Sequence, residues 1–131
     1  MMQREELENL TFTALRILAG TLMCLHGVNH LLGWWAPAAT FPSQLFFGGI
    51  LELTGGALIA MGLYTRLAAF ILSGQMAVAY FQFHWKLHLA NLQWLPMVNQ
   101  GEDTVLYCFS FLFFWARGAG PHSLDRLRGH A

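Results

Sequence analysis

Hydrophobic residues fall in four long blocks along this chain, and the polar positions inside those blocks predict four membrane-crossing helices. The second block is the simplest. Residues 45–63 carry one charge, Glu52, and at about 1.5 Å per residue the run is about long enough to cross a bilayer. The predicted helices are 10–35, 45–64, 66–85 and 103–116. Trp34 and Trp35, ahead of Pro37, predict an interfacial end for the first. Tyr64-Thr65-Arg66 predicts a tight turn before the third. Residues 86–95 read as amphipathic and predict a segment lying along the membrane surface, with Pro96 ending any helix there. Gly101-Glu102-Asp103-Thr104 predicts a helix start, with acids where the helix dipole favours them. The fourth block is short, about 22 Å. Phe109, Phe111, Phe113, Phe114 and Trp115 cover nearly all its sides, which predicts a helix that mainly faces lipid. The expected fold is an all-α membrane protein, an antiparallel four-transmembrane-helix bundle in a single domain, 1–131.

A charge at mid-membrane depth costs several kcal/mol unless it is paired, protonated or hydrated, so Glu52 must face the protein interior. At 100° per residue, Gly48, Gly49, Gly55 and Gly56 lie within about 60° of it. The face carrying the carboxylate is almost bare of side chains, so other helices can approach it closely. On the first helix Arg16, Gly20, Gly27, His26 and His30 share a face. Helical rise puts Arg16 near ~9 Å of depth, Glu52 near ~18 Å and His26 near ~24 Å, so Glu52 is within reach of either neighbour. The expectation is a buried Arg16–Glu52 pair, either as a folding lock or as part of a site.

Composition agrees with a membrane chain. Of 131 residues, 56% are hydrophobic and 11% charged, against about 25% charged in soluble domains. The formal net charge is zero, which argues against a nucleic-acid partner. Three Glu and one Arg among the first nine residues argue against a cleavable signal peptide. Arg4, Arg66, Arg117, Arg126 and Arg128 flank one side of the predicted bundle and Lys86 the other. That asymmetry predicts cytoplasmic termini, with loops 36–43 and 86–101 outside. Cys24 and Cys108 lie within apolar blocks at similar depth, ~21 Å. They are inert packing or a redox pair; no disulfide framework is implied.

The chemistry-bearing residues gather toward the outer end. Ser73, Tyr80, His84 and His88 form a stripe on the third block. His26/His30 and His84/His88 are two His-x3-His pairs, a spacing that puts two imidazoles on one helical face. Three readings stay open: a divalent metal or haem held by these four histidines, a quinone headgroup near His26, His30, Tyr80, His84 and His88, or ordinary interfacial and core histidines. The pocket reading bounds the site by His26, His30, Glu52, Tyr80 and His84, with Trp34, Trp35, Trp85 and Trp94 around its mouth. In it Glu52, Arg16 and His26 are the candidate proton-handling groups.

Five stretches carry a family resemblance. They are Ala14-Leu15-Arg16 with Gly20, His26-Gly27-Val28-Asn29, Gly49-Ile50-Leu51-Glu52-Leu53-Thr54-Gly55-Gly56, Gly62-Leu63-Tyr64-Thr65-Arg66-Leu67-Ala68, and Gly118-Ala119-Gly120-Pro121-His122-Ser123-Leu124-Asp125. In order and spacing the chain resembles the DoxX family from about residue 10 to residue 126. The resemblance implies a small bacterial inner-membrane protein, associated with thiosulfate:quinone oxidoreductases and with complexes handling thiol and oxidative stress. It also implies that Arg16, His26 and Glu52 are the intramembrane polar positions. No Rossmann glycine pattern, P-loop or Cys-x-x-Cys is present, so partner subunits are implied. The expected function is a membrane subunit of a quinone-linked redox complex. The alternatives are a non-catalytic scaffold or assembly subunit and, further off, a permeation unit. Permeation lacks a polar path, because the fourth block offers it only Cys108 and Ser110.

Overall fold

The computed structural model describes residues 2–129, all of whose regular structure is helical. Helix α1 runs Arg4–Leu32. It starts earlier than the apolar block because Glu5 and Glu6 suit its first turn and Arg4 bonds Glu8 at 2.8 Å, one turn on. It stops before the tryptophans because Gly33 takes a left-handed C-cap, and the Asn29 side chain accepts from the Trp35 and Ala36 amides. Helix α2 (Gln44–Met61) is capped by Ser43, whose hydroxyl accepts from the Phe46 amide, and ends at left-handed Gly62. Helix α3 (Thr65–Ala79) continues without a break into a π-helical segment, Tyr80–Trp85. The segment 86–95, expected to lie along the membrane surface, is a chain of turns with one 3₁₀ turn, Ala90–Leu92. Pro96 starts a helix rather than stopping one, as the N1 position of the short α4 (Pro96–Asn99). Helix α5 spans Glu102–Arg117, and a short α6, Leu124–Leu127, closes the tail.

Among the described residues two helices, α1 and α2, are, taken singly, long and apolar enough to cross a membrane. The bundle is assembled from two close couples, α1 with α2 and α3 with α5, joined along looser seams. The first couple touches backbone to backbone. A Cβ on Gly20 would lie 2.5 Å from the Ala60 nitrogen, and one on Gly56 2.5 Å from the Cys24 nitrogen. Gly27 sits as tightly on Leu53 and Gly49. This is the close approach the glycine face predicted. In the second couple the Ser73 hydroxyl donates to the Cys108 carbonyl at 2.8 Å. Phe111 and Phe114 are completely buried while Phe109, Phe113 and Trp115 stay exposed. Helix α5 is therefore half core, which corrects the expectation of a mainly lipid-facing helix.

One end of the bundle is locked by the tail. Arg16, 1% exposed, donates to the Ile59 and Ala60 carbonyls at 2.6 and 2.8 Å and to the His122 carbonyl at 2.7 Å. It thus satisfies last-turn carbonyls of α2 with a cation, where the helix dipole favours one. Asp125 accepts from the Tyr64 and Thr65 amides at 2.8 and 2.9 Å, capping α3 from outside it. That bond holds Tyr64 in a left-handed conformation, φ 48°, which a non-glycine residue adopts only under constraint. Gly62 must be glycine twice over: its φ is 69°, and a Cβ there would lie 2.5 Å from that of Ser123.

Candidate functional site

At the opposite end, where the long loops lie, the seams between the two couples widen into a cavity of about 620 Å³. Its walls are mostly apolar, with Phe47 and Phe83 supplying aromatic faces. Three polar side chains meet on one wall. Glu52, 5% exposed, lies 2.7 Å through Oε2 from His30 Nδ1 and accepts at Oε1 from Gln75 Nε2 at 3.0 Å. Gln75 also donates to the Gly48 carbonyl at 3.2 Å, while its own Oε1 is buried without a partner. The glycines one turn before Glu52 make the meeting sterically feasible. A Cβ on Gly49 would lie 2.8 Å from that of His30, and one on Gly48 would lie 3.2 Å from Gln75 Nε2. Thus α1 and α3 each deliver one side chain to the carboxylate across a bare patch of α2.

The expected Arg16–Glu52 pair does not form. Gly20 faces Gly56 and Ala60, and this register sets Arg16 against Gly62, ten residues and about 15 Å along α2 from Glu52. Arg16 belongs to the tail lock, and His30 takes the place it was expected to fill.

The four histidines do not converge. His26 is exposed on the cavity rim, edge-on to Tyr107 at 6.1 Å. His84 lines the cavity but is held by others. Its Nδ1 lies 3.2 Å from the Asn99 carbonyl, so that nitrogen carries the proton, and its Nε2 accepts from the Thr104 hydroxyl at 3.1 Å. His88 is exposed and outside the cavity. Among the described residues no group of three or more His, Cys, Asp or Glu is placed to hold a metal ion. Tyr80 also leaves the site. Its hydroxyl donates to the Trp94 carbonyl at 2.8 Å and accepts from Asn99 at 3.1 Å, bracing the loop. Tyr80 stays beside His84, their rings stacked at 6.4 Å, whereas the helical run ends at Trp85 and left-handed Lys86 and Leu87 carry His88 away from the stripe. None of Trp34, Trp35, Trp85 or Trp94 lines the cavity. Cys24 and Cys108 are free, with separate partners: Cys24 Sγ donates to the Leu53 carbonyl, and Cys108 lies beside Ser73.

The family model described as DoxX matches residues 11–85. The chain belongs to the DoxX family. It is also similar to an uncharacterized protein of Haemophilus influenzae, 39% identical over 116 residues that make up 85% of each chain. No solved structure matches. DoxX membership, with the two apolar helices, points to a membrane protein. The matched stretch contains Glu52, His30 and Gln75 but stops short of α5 and the tail. In this DoxX protein the residue sequence reasoning missed is Gln75, an uncharged amide in the third apolar block that lies off the Ser73–Tyr80–His84 stripe. An amide buried amid apolar residues needs partners, and that need is the signal that marks it. Asp103, Thr104 and Tyr107 also line the cavity, though the sequence assigned the acids only to a helix start.

Proposed function

We propose that this DoxX protein is a single-domain, four-span bundle of the bacterial inner membrane, both termini cytoplasmic, whose cavity binds a quinone-type ring and exchanges protons with it. In this reading it is the membrane subunit of a redox complex, and a partner subunit delivers the electrons. The observation that carries the proposal is the Glu52–His30–Gln75 cluster on the wall of a large apolar cavity. Intramembrane carboxylates are costly and are kept where they act. The topology is supported by Arg66, which donates to the Trp115 and Ala116 carbonyls at the same end as the tail, with Lys86 at the other. It is supported too by the unbroken run from α3 through the π-helical segment, which lengthens the third rod.

The residues suit such a ligand. Reducing a quinone to a quinol takes up two electrons and two protons at the ring oxygens. In protonated His30, Nδ1–H is directed at Glu52 and Nε2–H is left for a ring oxygen. Delivering that proton leaves a neutral imidazole whose Nδ1–H still points at Glu52, so the carboxylate fixes the tautomer and the ring plane. The orphaned Gln75 Oε1 is an acceptor for a hydroxyl of the reduced ring. His84 and Thr104 form a second polar patch on the wall, with Asp103 Oδ1 accepting from the Thr104 amide at 2.8 Å.

The test is equilibrium binding of a tailless benzoquinone to protein in lipid nanodiscs, comparing the parent with Glu52→Gln and His30→Gln. Losing a hydrogen bond to a charged group predicts about 10- to 100-fold weaker binding, with thermal unfolding still cooperative. Binding unchanged in both folded variants rejects the site, and the scaffold reading then replaces it.

A further inference from the structure

A second hollow, about 150 Å³, lies along the seam between α2 and α3. It shares Leu51 and Ile71 with the main cavity, so the two adjoin at those side chains. From there it passes Thr54, Leu58 and Leu67 to Tyr64, near the locked end. No charged residue lines it. Of the two hydroxyls among its lining residues, that of Thr54 is turned back onto the Ile50 carbonyl at 2.7 Å and that of Tyr64, at the locked end, accepts from Arg128 at 3.0 Å. Gly55 forms part of its floor, and a Cβ there would lie 3.0 Å from the Leu72 side chain. From Leu51 to Leu58 the groove follows α2 for about 10 Å.

We infer that this groove holds the hydrocarbon tail of the ligand whose ring occupies the cavity, so that the protein selects a tailed, membrane-borne ring rather than a small free one. The inference rests on the proposed ring site. A ring beside Glu52 must pass its tail out through a seam. The seam between α1 and α5 is occupied at cavity level by the His26 and Tyr107 rings. The seam between α2 and α3 is apolar and leads directly from Leu51. A tail lying there keeps the ring's substituted edge toward α2 and α3 and its oxygens toward the polar wall, which a tailless ring cannot do by itself. Because lipid chains are as apolar as the groove, the gain comes from packing and orientation rather than from leaving water.

The experiment compares a tailless benzoquinone with its decyl derivative, in nanodiscs, on the parent and on Thr54→Trp. Thr54 is exposed, so the indole fills the groove without entering the core. Thr54→Val tests the hydroxyl alone. Leu18→Trp, on an exposed face of α1, tests a tryptophan placed elsewhere. Comparing variants cancels the tail's partitioning into lipid. The expected result is that Thr54→Trp weakens the decyl derivative about tenfold and changes the tailless ring less than about twofold, while both controls match the parent. If Thr54→Trp leaves the decyl derivative unaffected, or weakens both ligands equally, the groove holds only bulk lipid chains and the inference falls while the ring site stands. If the parent binds neither ligand, the ring site itself falls and the inference with it.

Discussion

Replacing Arg16 by methionine tests the tail lock. The guanidinium makes three short hydrogen bonds to carbonyls, and the Ile59 bond is fully buried. An acceptor left unsatisfied in the interior costs about 1–3 kcal/mol. Water reaches the partly buried Ala60 and His122 carbonyls more easily, so they add less. Removing a desolvated cation whose Nε has no partner returns part of the loss. The net expectation is destabilisation of about 2–4 kcal/mol, or roughly 10 °C in the melting temperature. Intrinsic tryptophan fluorescence in detergent, with five tryptophans as reporters, follows the transition. The decisive comparison adds Glu52→Leu. Arg16 and Glu52 share no partner and act about 15 Å apart along α2, so the two losses should add within about 0.5 kcal/mol. A double variant more stable than Arg16→Met alone would mean that the two side chains pair after all, and would refute the register described above.

Two further outcomes follow from the same contacts. Asp125→Ala strips both acceptors from the Tyr64 and Thr65 amides and should cost about 1–2 kcal/mol in thermal unfolding, with Asp125→Asn costing less. Gly27→Leu should abolish folded, monodisperse protein on size exclusion because backbone leaves it no room, whereas Gly74→Leu, at a position where a Cβ meets nothing within 4 Å, should fold and lose ring binding by filling the cavity.

Much of the helical framework was legible because apolar blocks and capping residues act locally. The bare glycine patch around Glu52 was legible for the same reason: helical periodicity alone puts those glycines on the carboxylate's side. Its partner was not. Depth counted from the predicted ends left Arg16 and His26 as rivals, whereas the choice of His30 follows from how Gly20 and Gly27 seat against α2. That register is a property of two helices together. Gln75 escaped because it is uncharged and lies off the stripe, and Tyr80 and His88 fall outside the cavity lining because Trp94 and Asn99 engage the Tyr80 hydroxyl and the chain turns left-handed at Lys86 and Leu87, neither of which helical periodicity announces. The tail's role was hidden for a different reason: Asp125 and the His122 carbonyl act on residues some sixty and a hundred positions away.

The coupling of α1 to α2 and of α3 to α5 distributes stiffness unevenly through the molecule. Within each couple, backbone seated against glycine or buried phenylalanine leaves no slack. Between them the Gly62–Thr65 turn and the Asp125 cap fasten one end through the backbone, whereas toward the loops the bonds that cross come from side chains, Gln75 to Glu52 and Gly48, and Gln44 to Gln82. Such an object deforms like a clothes-peg, with its spring at the tail and its jaws at the loops. The room between the jaws can then widen or narrow for a bulky guest while every contact inside each arm stays as it is.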